Sequence, residues 1–220
     1  MAAPPRFSDP VQGDWDLSVS PSLVPTAMAR YSGAVLNGGE LDDFLEIVSY
    51  VDTDRSYSNL FVSDERFYKN PYALLALAAR HSSRIRLGTG VTNPYTRNPA
   101  FTASAIATID EISDGRAILG LGAGSPMVLD PIGIEQNDPI GAVRTAVRAI
   151  RPLLRGESVT AEHESFSLDE VRLDFDPERE VDIYVAGRGP QLLSLGGHVG
   201  DGVIAGAGLT SVEGMEYAID

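Results

Sequence analysis

Short apolar runs alternate with longer amphipathic segments along most of this chain, and this alternation limits its fold more than any other feature. Strands are predicted at 15–24, 59–63, 84–91, 116–124, 181–186 and 202–207. Helices are predicted at 40–51, 71–83, 99–115, 139–154 and 190–199, and one more begins in 211–220. Parallel strands need a crossover connection, which helices of this length supply. The sequence therefore predicts an α/β fold, and periodicity alone leaves a barrel and an open doubly wound sheet as alternatives.

The length of the chain favours one globular domain over residues 1–220. Its 220 residues are 43% apolar, which is enough to bury one substantial core. We expect a flexible leader over 1–14, and an excursion such as a hairpin over one end of the sheet in the polar segment 157–180. A closed (β/α)₈ barrel usually needs about 250 residues, so the chain is short for that alternative.

Charge and missing residue types exclude several kinds of function. The net charge is −14 and Lys69 is the one lysine among 17 basic residues, so nucleic acid is not an expected partner. Such a composition is also typical of proteins from salt-loving archaea. The chain has no cysteine, which excludes disulfides and thiolate nucleophiles. Because His81, His163 and His198 lack the spacing of a metal site, no metal is predicted.

The hydropathy pattern predicts no membrane association. No apolar run approaches the roughly 20 residues that span a bilayer, and the start of the chain lacks the apolar core of a signal peptide. We therefore expect a cytoplasmic protein.

Closely spaced glycines and polar residues follow most of the predicted strands. In a parallel βα protein, these loops meet at the carboxyl edge of the sheet, where active sites form. Glycine lets a backbone lie against a planar ring or a phosphate, although glycines also form ordinary tight turns. The loops are 63–66, 88–95, 120–125, 187–190 and 206–208. Together they predict a site for a ring-shaped cofactor at this edge.

Two of these loops carry charged residues that suggest a chemical role. The segment Gly187–Pro190 precedes a helix whose first turn has unpaired N–H groups, which suit a phosphate, and Arg188 could add a charged contact. The alternative is a proline-initiated helix with an exposed arginine. Asp64 and Glu65 could face the cofactor pocket as catalytic acids, or they could cap the next turn and pair with Arg66.

Four segments of the chain resemble the luciferase-like superfamily. They are Ser63–Tyr68 (SDERFY), Leu87–Arg97 (LGTGVTNPYTR), Gly115–Gly124 (GRAILGLGAG) and Ile183–Pro190 (IYVAGRGP). Within that superfamily, they are most similar to methylene-tetrahydromethanopterin reductases, in the same order from about 59 to 208. The resemblance implies a (β/α)₈ TIM-barrel-type fold, of which only about six βα units are visible. It also implies coenzyme F-420 (8-hydroxy-5-deazaflavin), or FMN as in sister families.

The resemblance also implies roles for individual residues. A non-prolyl cis peptide would join Gly90 and Val91 beneath the cofactor ring, and Asp64 would contact the cofactor head. The other predicted cofactor-binding residues are Thr92 and Asn93 at the ring, Ala123 and Gly124 at the middle, and Gly187, Arg188, Gly189, Pro190, Gly206 and Gly208 at the phosphate. The implied reaction is hydride transfer to or from a one-carbon unit on a pterin such as methylene-tetrahydromethanopterin or methylene-tetrahydrofolate. The family has a glutamate on its first strand, which the segment 18–21 lacks.

Two other functions stay open from the sequence. One is an FMN-dependent luciferase-like monooxygenase. The other is a non-catalytic remnant or one part of a split barrel, because six units leave two strand edges exposed. A homo-oligomer or a partner chain that covers the open edge is therefore expected.

Overall fold

A parallel six-stranded sheet forms the centre of the molecule. The structure, a computed structural model, describes residues 31–35, 38–65 and 67–206. The strand order is β1-β2-β3-β4-β7-β8, and every neighbouring pair is parallel. These strands are β1 (Tyr31–Val35), β2 (Tyr57–Val62), β3 (Arg86–Thr89), β4 (Ala117–Leu121), β7 (Asp182–Gly187) and β8 (Gly202–Ala205). The predicted α/β class is confirmed.

Helices connect successive strands of this sheet. They are α1 (Leu41–Thr53), α2 (Pro71–His81), α3 (Pro99–Ser113), α4 (Pro126–Leu129), α5 (Pro139–Leu153) and α6 (Pro190–Val199), with a 3₁₀ turn at Asp130–Ile132. Proline occupies the first position of five of them, where its missing N–H costs nothing. A side-chain oxygen of the preceding Asn70, Asn98, Ser125 or Asp138 accepts a hydrogen bond from the first turn in four cases. Local sequence therefore fixes where these helices begin.

Some elements differ from the sequence expectation. Strand β1 was not predicted, because its five residues are mostly exposed and lack an alternating apolar pattern. Helix α4 was not predicted either, since four residues show no helical periodicity. The predicted strand at 15–24 and the helix beginning in 211–220 lie outside the described residues. The polar segment contains an antiparallel hairpin of β5 (Val159–His163) and β6 (Phe166–Val171). Because β5 packs against α5, the hairpin lies along the helical layer.

The sheet has a different layer of side chains on each face. The helices cover one face and share a large apolar core with it, which includes Leu87 and Leu119. On the other face, the Phe61 and Tyr184 rings lie 6.5 Å apart. A Cβ at Gly88 would lie 2.9 Å from the Phe61 ring, so glycine makes room for that ring. The second face is thus filled by aromatic rings over backbone, as in the interior of a barrel wall.

Charged side chains join α1 to the amino end of β3. The Arg84 guanidinium donates to the carbonyl oxygens of Val51, Asp52 and Asp54, at the C-terminal end of α1. In return, the Asp52 carboxylate accepts from the backbone N–H of Arg84 (2.8 Å) and of Ile85 (3.0 Å). Partial burial acts to raise the Asp52 pKa, but the backbone hydrogen bonds outweigh it and the pKa is lowered. Arg84 thereby holds the α1 terminus, and Asp52 holds the chain that enters β3.

We predict that Asp52→Ala lowers the free energy of unfolding by about 2 kcal/mol, because buried N–H groups lose a charged acceptor. The matched control is Glu46→Ala, which removes an exposed carboxylate from the same helix. Since the folded-state pKa of Asp52 is lowered, its contribution is present above the ordinary value of 3.8 and is lost as pH falls through the folded value. Urea unfolding at pH 7 and pH 3 measures both effects. A constant difference between wild type and variant at the two pH values would contradict the assignment.

Candidate functional site

Five loops meet at the carboxyl edge of the parallel sheet. They follow β2, β3, β4, β7 and β8, and these strands are consecutive neighbours in the sheet. Parallel strands end at the same edge, so the fold places the loops predicted from the sequence side by side. Gly208 lies outside the described residues, and so does Arg66. Every other candidate residue lies on or beside this edge.

Backbone hydrogen bonds fix the loop after β3 to both neighbouring strands. The N–H of Gly90 donates to Val62 O of β2 at 2.8 Å. On the other side, Thr92 N donates to Gly120 O at 2.9 Å and Gly122 N donates to Thr92 O at 2.8 Å. The peptide bond between Gly90 and Val91 is cis, which confirms that prediction. The backbone that was expected to lie under a ring is therefore held in place from two sides.

Glycine is required at position 120, where the backbones of the neighbouring strands β3 and β4 are in close contact. A Cβ built on Gly120 would lie 2.0 Å from the carbonyl oxygen of Thr89. The Thr89 side chain also contacts Gly120: its Oγ1 donates to Gly120 O at 2.8 Å and accepts from Gly120 N at 3.0 Å. Gly90 is also tightly placed, since its Cβ would lie 2.7 Å from Cβ of Phe61. These glycines therefore serve the packing of the backbone against neighbouring residues.

Asp64 is tied to the loop after β3. Its Oδ2 accepts a hydrogen bond of 2.7 Å from Thr92 Oγ1, and Thr92 is fully buried. Oδ1 accepts no hydrogen bond from another described residue, which leaves one acceptor oxygen for a ligand. Glu65 is exposed and makes no hydrogen bond or ion pair with the described part of the chain. The structure thus places Asp64, but not Glu65, in contact with the other candidates.

Asn93 organises the turn that follows. Its side-chain oxygen accepts from the backbone N–H groups of Tyr95 (3.0 Å) and Thr96 (2.9 Å), and its side chain is buried. Gly124 has a positive φ of 78°, and a Cβ there would lie 3.3 Å from Asn93 Cγ. The side-chain amide of Gln136 donates a hydrogen bond to the carbonyl oxygen of Ala123. The side-chain oxygen of Asn93 is therefore used within the loop itself, and the predicted place of Asn93 beside the ring stays a prediction.

Tyr95 closes this turn against the start of α5. Its hydroxyl donates to Asn137 O at 2.6 Å. Burial, with the Asp138 and Glu164 carboxylates as smaller causes, raises the pKa of Tyr95 to about 12. The hydroxyl therefore keeps its proton and its hydrogen bond across the physiological range.

A buried group of polar side chains lies behind Asp64 and Thr92. The Tyr72 hydroxyl and Thr102 Oγ1 are both buried, and neither has a hydrogen-bond partner among the described residues. The guanidinium carbon of Arg97 lies 4.5 Å from the centre of the Tyr72 ring, in cation–π geometry. Burial raises the pKa of Tyr72; the Asp64 charge adds to this, whereas the Thr92 and Thr102 hydroxyls and Arg97 act against it.

The fourth predicted loop leads into α6. Gly189 is the N-cap of α6 with no side-chain cap, and a Cβ on it would meet no atom within 4 Å. Gly206 N donates to Gly187 O at 2.8 Å, which joins the loops after β7 and β8. The exposed Arg188 side chain lies over Gly206, because a Cβ there would lie 2.5 Å from Arg188 Cγ. The start of α6 therefore has open space at Gly189 and first-turn N–H groups beyond Pro190, and the Arg188 side chain lies beside it over Gly206.

Sequence reasoning missed Tyr72, Thr102 and Arg97. A signal for them existed: Asn70-Pro71 and Asn98-Pro99 start helices at the same edge as the site, so first-turn residues such as Tyr72 and Thr102 lie near it. Their apolar neighbours concealed them, because a tyrosine in an amphipathic helix looks like a core residue.

Among the residues that the structure describes, no three His, Cys, Asp or Glu side chains are close enough to hold a metal ion. Within the same residues, no helix is long and apolar enough to cross a bilayer.

Comparison with known proteins decides the family. The family model for luciferase-like monooxygenases matches residues 24–220. The chain belongs to this family. The resemblance drawn from the four sequence motifs is confirmed.

The matching curated proteins include several reductases. The 5,10-methylenetetrahydromethanopterin reductase of Methanolobus tindarius is 39% identical over 168 residues, which are 76% of this chain and 51% of that protein. The reductase of the same name from Archaeoglobus fulgidus is 41% identical over 154 residues, which are 70% of this chain and 46% of that protein. The chain spans about half the length of these relatives.

A solved structure confirms the fold. The coenzyme F420 dependent tetrahydromethanopterin reductase from Methanopyrus kandleri aligns with a TM-score of 0.74 and 27% identity, covering 88% of this chain and 61% of that one. The six parallel strands form a half-barrel of the luciferase-like type. The predicted TIM-barrel-type fold with about six βα units is therefore confirmed in its incomplete form.

We predict that Gly120→Ala lowers the free energy of unfolding by about 3 kcal/mol, since the new methyl group overlaps the Thr89 carbonyl oxygen. The matched control is Gly197→Ala in α6, where a Cβ meets no atom within 4 Å and alanine favours the helix. Urea unfolding of both variants measures the difference. If Gly120→Ala unfolds like wild type, β3 and β4 are farther apart than described.

Proposed function

We propose that this chain binds coenzyme F-420 along the carboxyl edge of the sheet and takes part in hydride transfer to or from a one-carbon-substituted pterin. The observation that carries the proposal is the pairing of two features at one edge. The loop after β3 presents backbone beside Asp64, whose Oδ1 accepts no hydrogen bond from a described residue. The start of α6, which suits a phosphate, follows β7. A ligand with a planar ring and a phosphate needs both.

The residues fit the ring end of a deazaflavin. Gly90 and Val91 offer a surface without long polar side chains, and the fixed backbone around them keeps that surface in one position. The free oxygen of Asp64 can accept from an N–H donor on the pyrimidine edge of the ring. Ala123 and Gly124, which follow β4, would border the middle of the ligand.

The residues also fit the phosphate end. Gly189 lacks a side chain that would fill the space in front of α6, and Arg188 lies at the rim of that space. Backbone N–H groups in the first turn of a helix suit an anion, and the helix dipole adds to the attraction. Gly187, Pro190 and Gly206 would form the backbone around the phosphate, and the contact of Gly208 with the phosphate stays a prediction.

In the proposed reaction, the residues of this chain act by position. A bound deazaflavin would supply the carbon that gives or receives hydride. The loop after β3 would hold one ring face, so that the other face stays free for the substrate. Asp64 would fix the in-plane rotation of the ring, and the start of α6 would fix its distance along the edge. Glu65 is exposed and fits substrate contact better than cofactor contact.

The pterin substrate rests on the names of relatives. Two of the matching proteins act on methylenetetrahydromethanopterin by name. The chain spans about half of their length, and we propose that it takes part in the reaction that their names give. A cytoplasmic location, a salt-loving source and a homo-oligomer or partner chain on the edges of β1 and β8 remain predictions.

FMN-dependent oxygenation is a second candidate. The same two features fit FMN, which also joins a planar ring to a phosphate. A non-catalytic remnant or split-barrel part is the alternative of another class. It is favoured by β1 and β8, each of which pairs with a single neighbour among the described residues.

We predict that oxidised coenzyme F-420 binds the purified chain with a micromolar dissociation constant and that FMN binds more weakly. Quenching of deazaflavin and flavin fluorescence measures both affinities directly. Tighter binding of FMN would replace the deazaflavin proposal with the second candidate. A folded chain that binds neither ligand would favour the remnant.

We predict that Arg188→Gln weakens coenzyme F-420 binding about tenfold, because a charge-assisted phosphate contact is lost. Binding of the phosphate-free deazaflavin ribitol analogue should stay unchanged in this variant. The control is Arg80→Gln, which removes another exposed arginine from α2. An equal loss for both ligands would place Arg188 away from the phosphate.

A further inference from the structure

Hydrogen-bond directions around Asp64 leave two buried donors unexplained. The Thr92 hydroxyl has one proton and gives it to Asp64 Oδ2 at 2.7 Å. Thr92 Oγ1 can therefore only accept from any further neighbour. Behind it, the hydroxyls of Tyr72 and Thr102 each carry a proton with no acceptor among the described residues.

Leaving two buried hydroxyls unpaired is unfavourable. Each such group costs on the order of 1–3 kcal/mol relative to a satisfied one, so native proteins seldom keep them without a reason. The two side chains come from different helices, Tyr72 from α2 and Thr102 from α3, and Arg97 of the loop after β3 lies over the Tyr72 ring. The Thr92 and Thr102 hydroxyls are near enough to Tyr72 to oppose the rise in its pKa.

The acceptor at one end sets the direction of the whole group. Asp64 accepts from Thr92, which leaves the Thr92 oxygen able to accept from Tyr72. A Tyr72 hydroxyl that donates to Thr92 could in turn accept from Thr102. Each donor in such a series polarises the next, which strengthens the bond to the final carboxylate. Arg97 over the Tyr72 ring restricts that ring to one orientation.

We propose that the hydroxyls of Thr102, Tyr72 and Thr92 form a donor chain that ends on Asp64, which makes Tyr72 a positioning residue for that carboxylate. The hydroxyls of Tyr72 and Thr102 have no hydrogen-bond partner among the described residues, and this donor chain is the arrangement that gives both of them an acceptor. Tyr72 touches no ligand itself. Its effect on coenzyme F-420 binding rests on the proposed function, whereas its coupling to Asp64 does not.

The test is a double-mutant cycle of Tyr72→Phe and Asp64→Asn, with two measurements. Tyr72→Phe removes the hydroxyl and keeps the ring under Arg97. Without any ligand, we expect the loss of Tm in the double variant to be smaller than the sum of the two single losses by about 2–3 °C. With coenzyme F-420, we expect Tyr72→Phe to weaken binding about fivefold in the wild-type background and less than twofold in the Asp64→Asn background.

Controls separate positioning from general packing. Tyr50→Phe removes an exposed hydroxyl at the far end of α1 and should be additive with Asp64→Asn in both measurements. Thr92→Val breaks the chain in the middle, so Tyr72→Phe should add little to it, whereas Thr92→Ser should restore the coupling.

The outcomes distinguish the two proposals. Additive Tm losses would overturn the donor chain, whatever the affinity for the ligand. If the Tm losses of the variants are coupled but the wild-type protein does not bind coenzyme F-420, the donor chain is supported and the proposed function is overturned. If the Tm losses are coupled but Tyr72→Phe weakens binding equally in both backgrounds, Asp64 does not transmit the effect of Tyr72 to the ligand.

Discussion

The close contact between the backbones of β3 and β4 at Gly120 is the constraint on which the candidate site depends. With only a hydrogen atom on Gly120, the Thr89 carbonyl and hydroxyl can approach the β4 backbone directly. That approach lets Thr92 continue pairing with β4 after β3 has ended. The loop therefore bends across the sheet edge while both of its ends stay hydrogen-bonded. Backbone packing thus fixes the surface that we propose for the cofactor ring.

Helix starts extend this constraint from the sheet to the surrounding layer. Each Asn-Pro or Asp-Pro pair stops the loop and begins a helix at the carboxyl edge, so first-turn residues necessarily border the site. Tyr72 and Thr102 occupy such positions. Asp64, which follows β2, contacts the loop after β3 through Thr92. The donor chain that we propose would add Tyr72 of α2 and Thr102 of α3 to the same contact.

The sequence predicted those features that local chemistry determines. Proline after Asn70 and Asn98 marked helix starts, and the glycine loops marked the edge where a site forms. Strand β1 escaped prediction because an exposed edge strand needs no apolar alternation. The buried Tyr72 hydroxyl escaped because Asp64, Thr92 and Thr102, which act on its pKa, belong to other elements, and a pattern of apolar residues cannot show what surrounds a buried hydroxyl. The use of the Asn93 oxygen by the next turn was also not predicted, because glycine spacing and polar residues do not show which N–H groups a side chain meets.

The two ends of the site differ in how they can attract a ligand from a chain of net charge −14. A phosphate approaching such a protein meets repulsion that acts over many ångströms, and salt screens this repulsion beyond about 8–10 Å. The attraction at the start of α6 acts at contact distance, where the unpaired N–H groups and Arg188 are less screened. Salt therefore removes more of the repulsion than of the attraction. By contrast, Asp64 and the fully buried Thr92 form a partly buried hydrogen-bonded pair, so the contact that we propose between Asp64 and the cofactor ring should depend little on ionic strength.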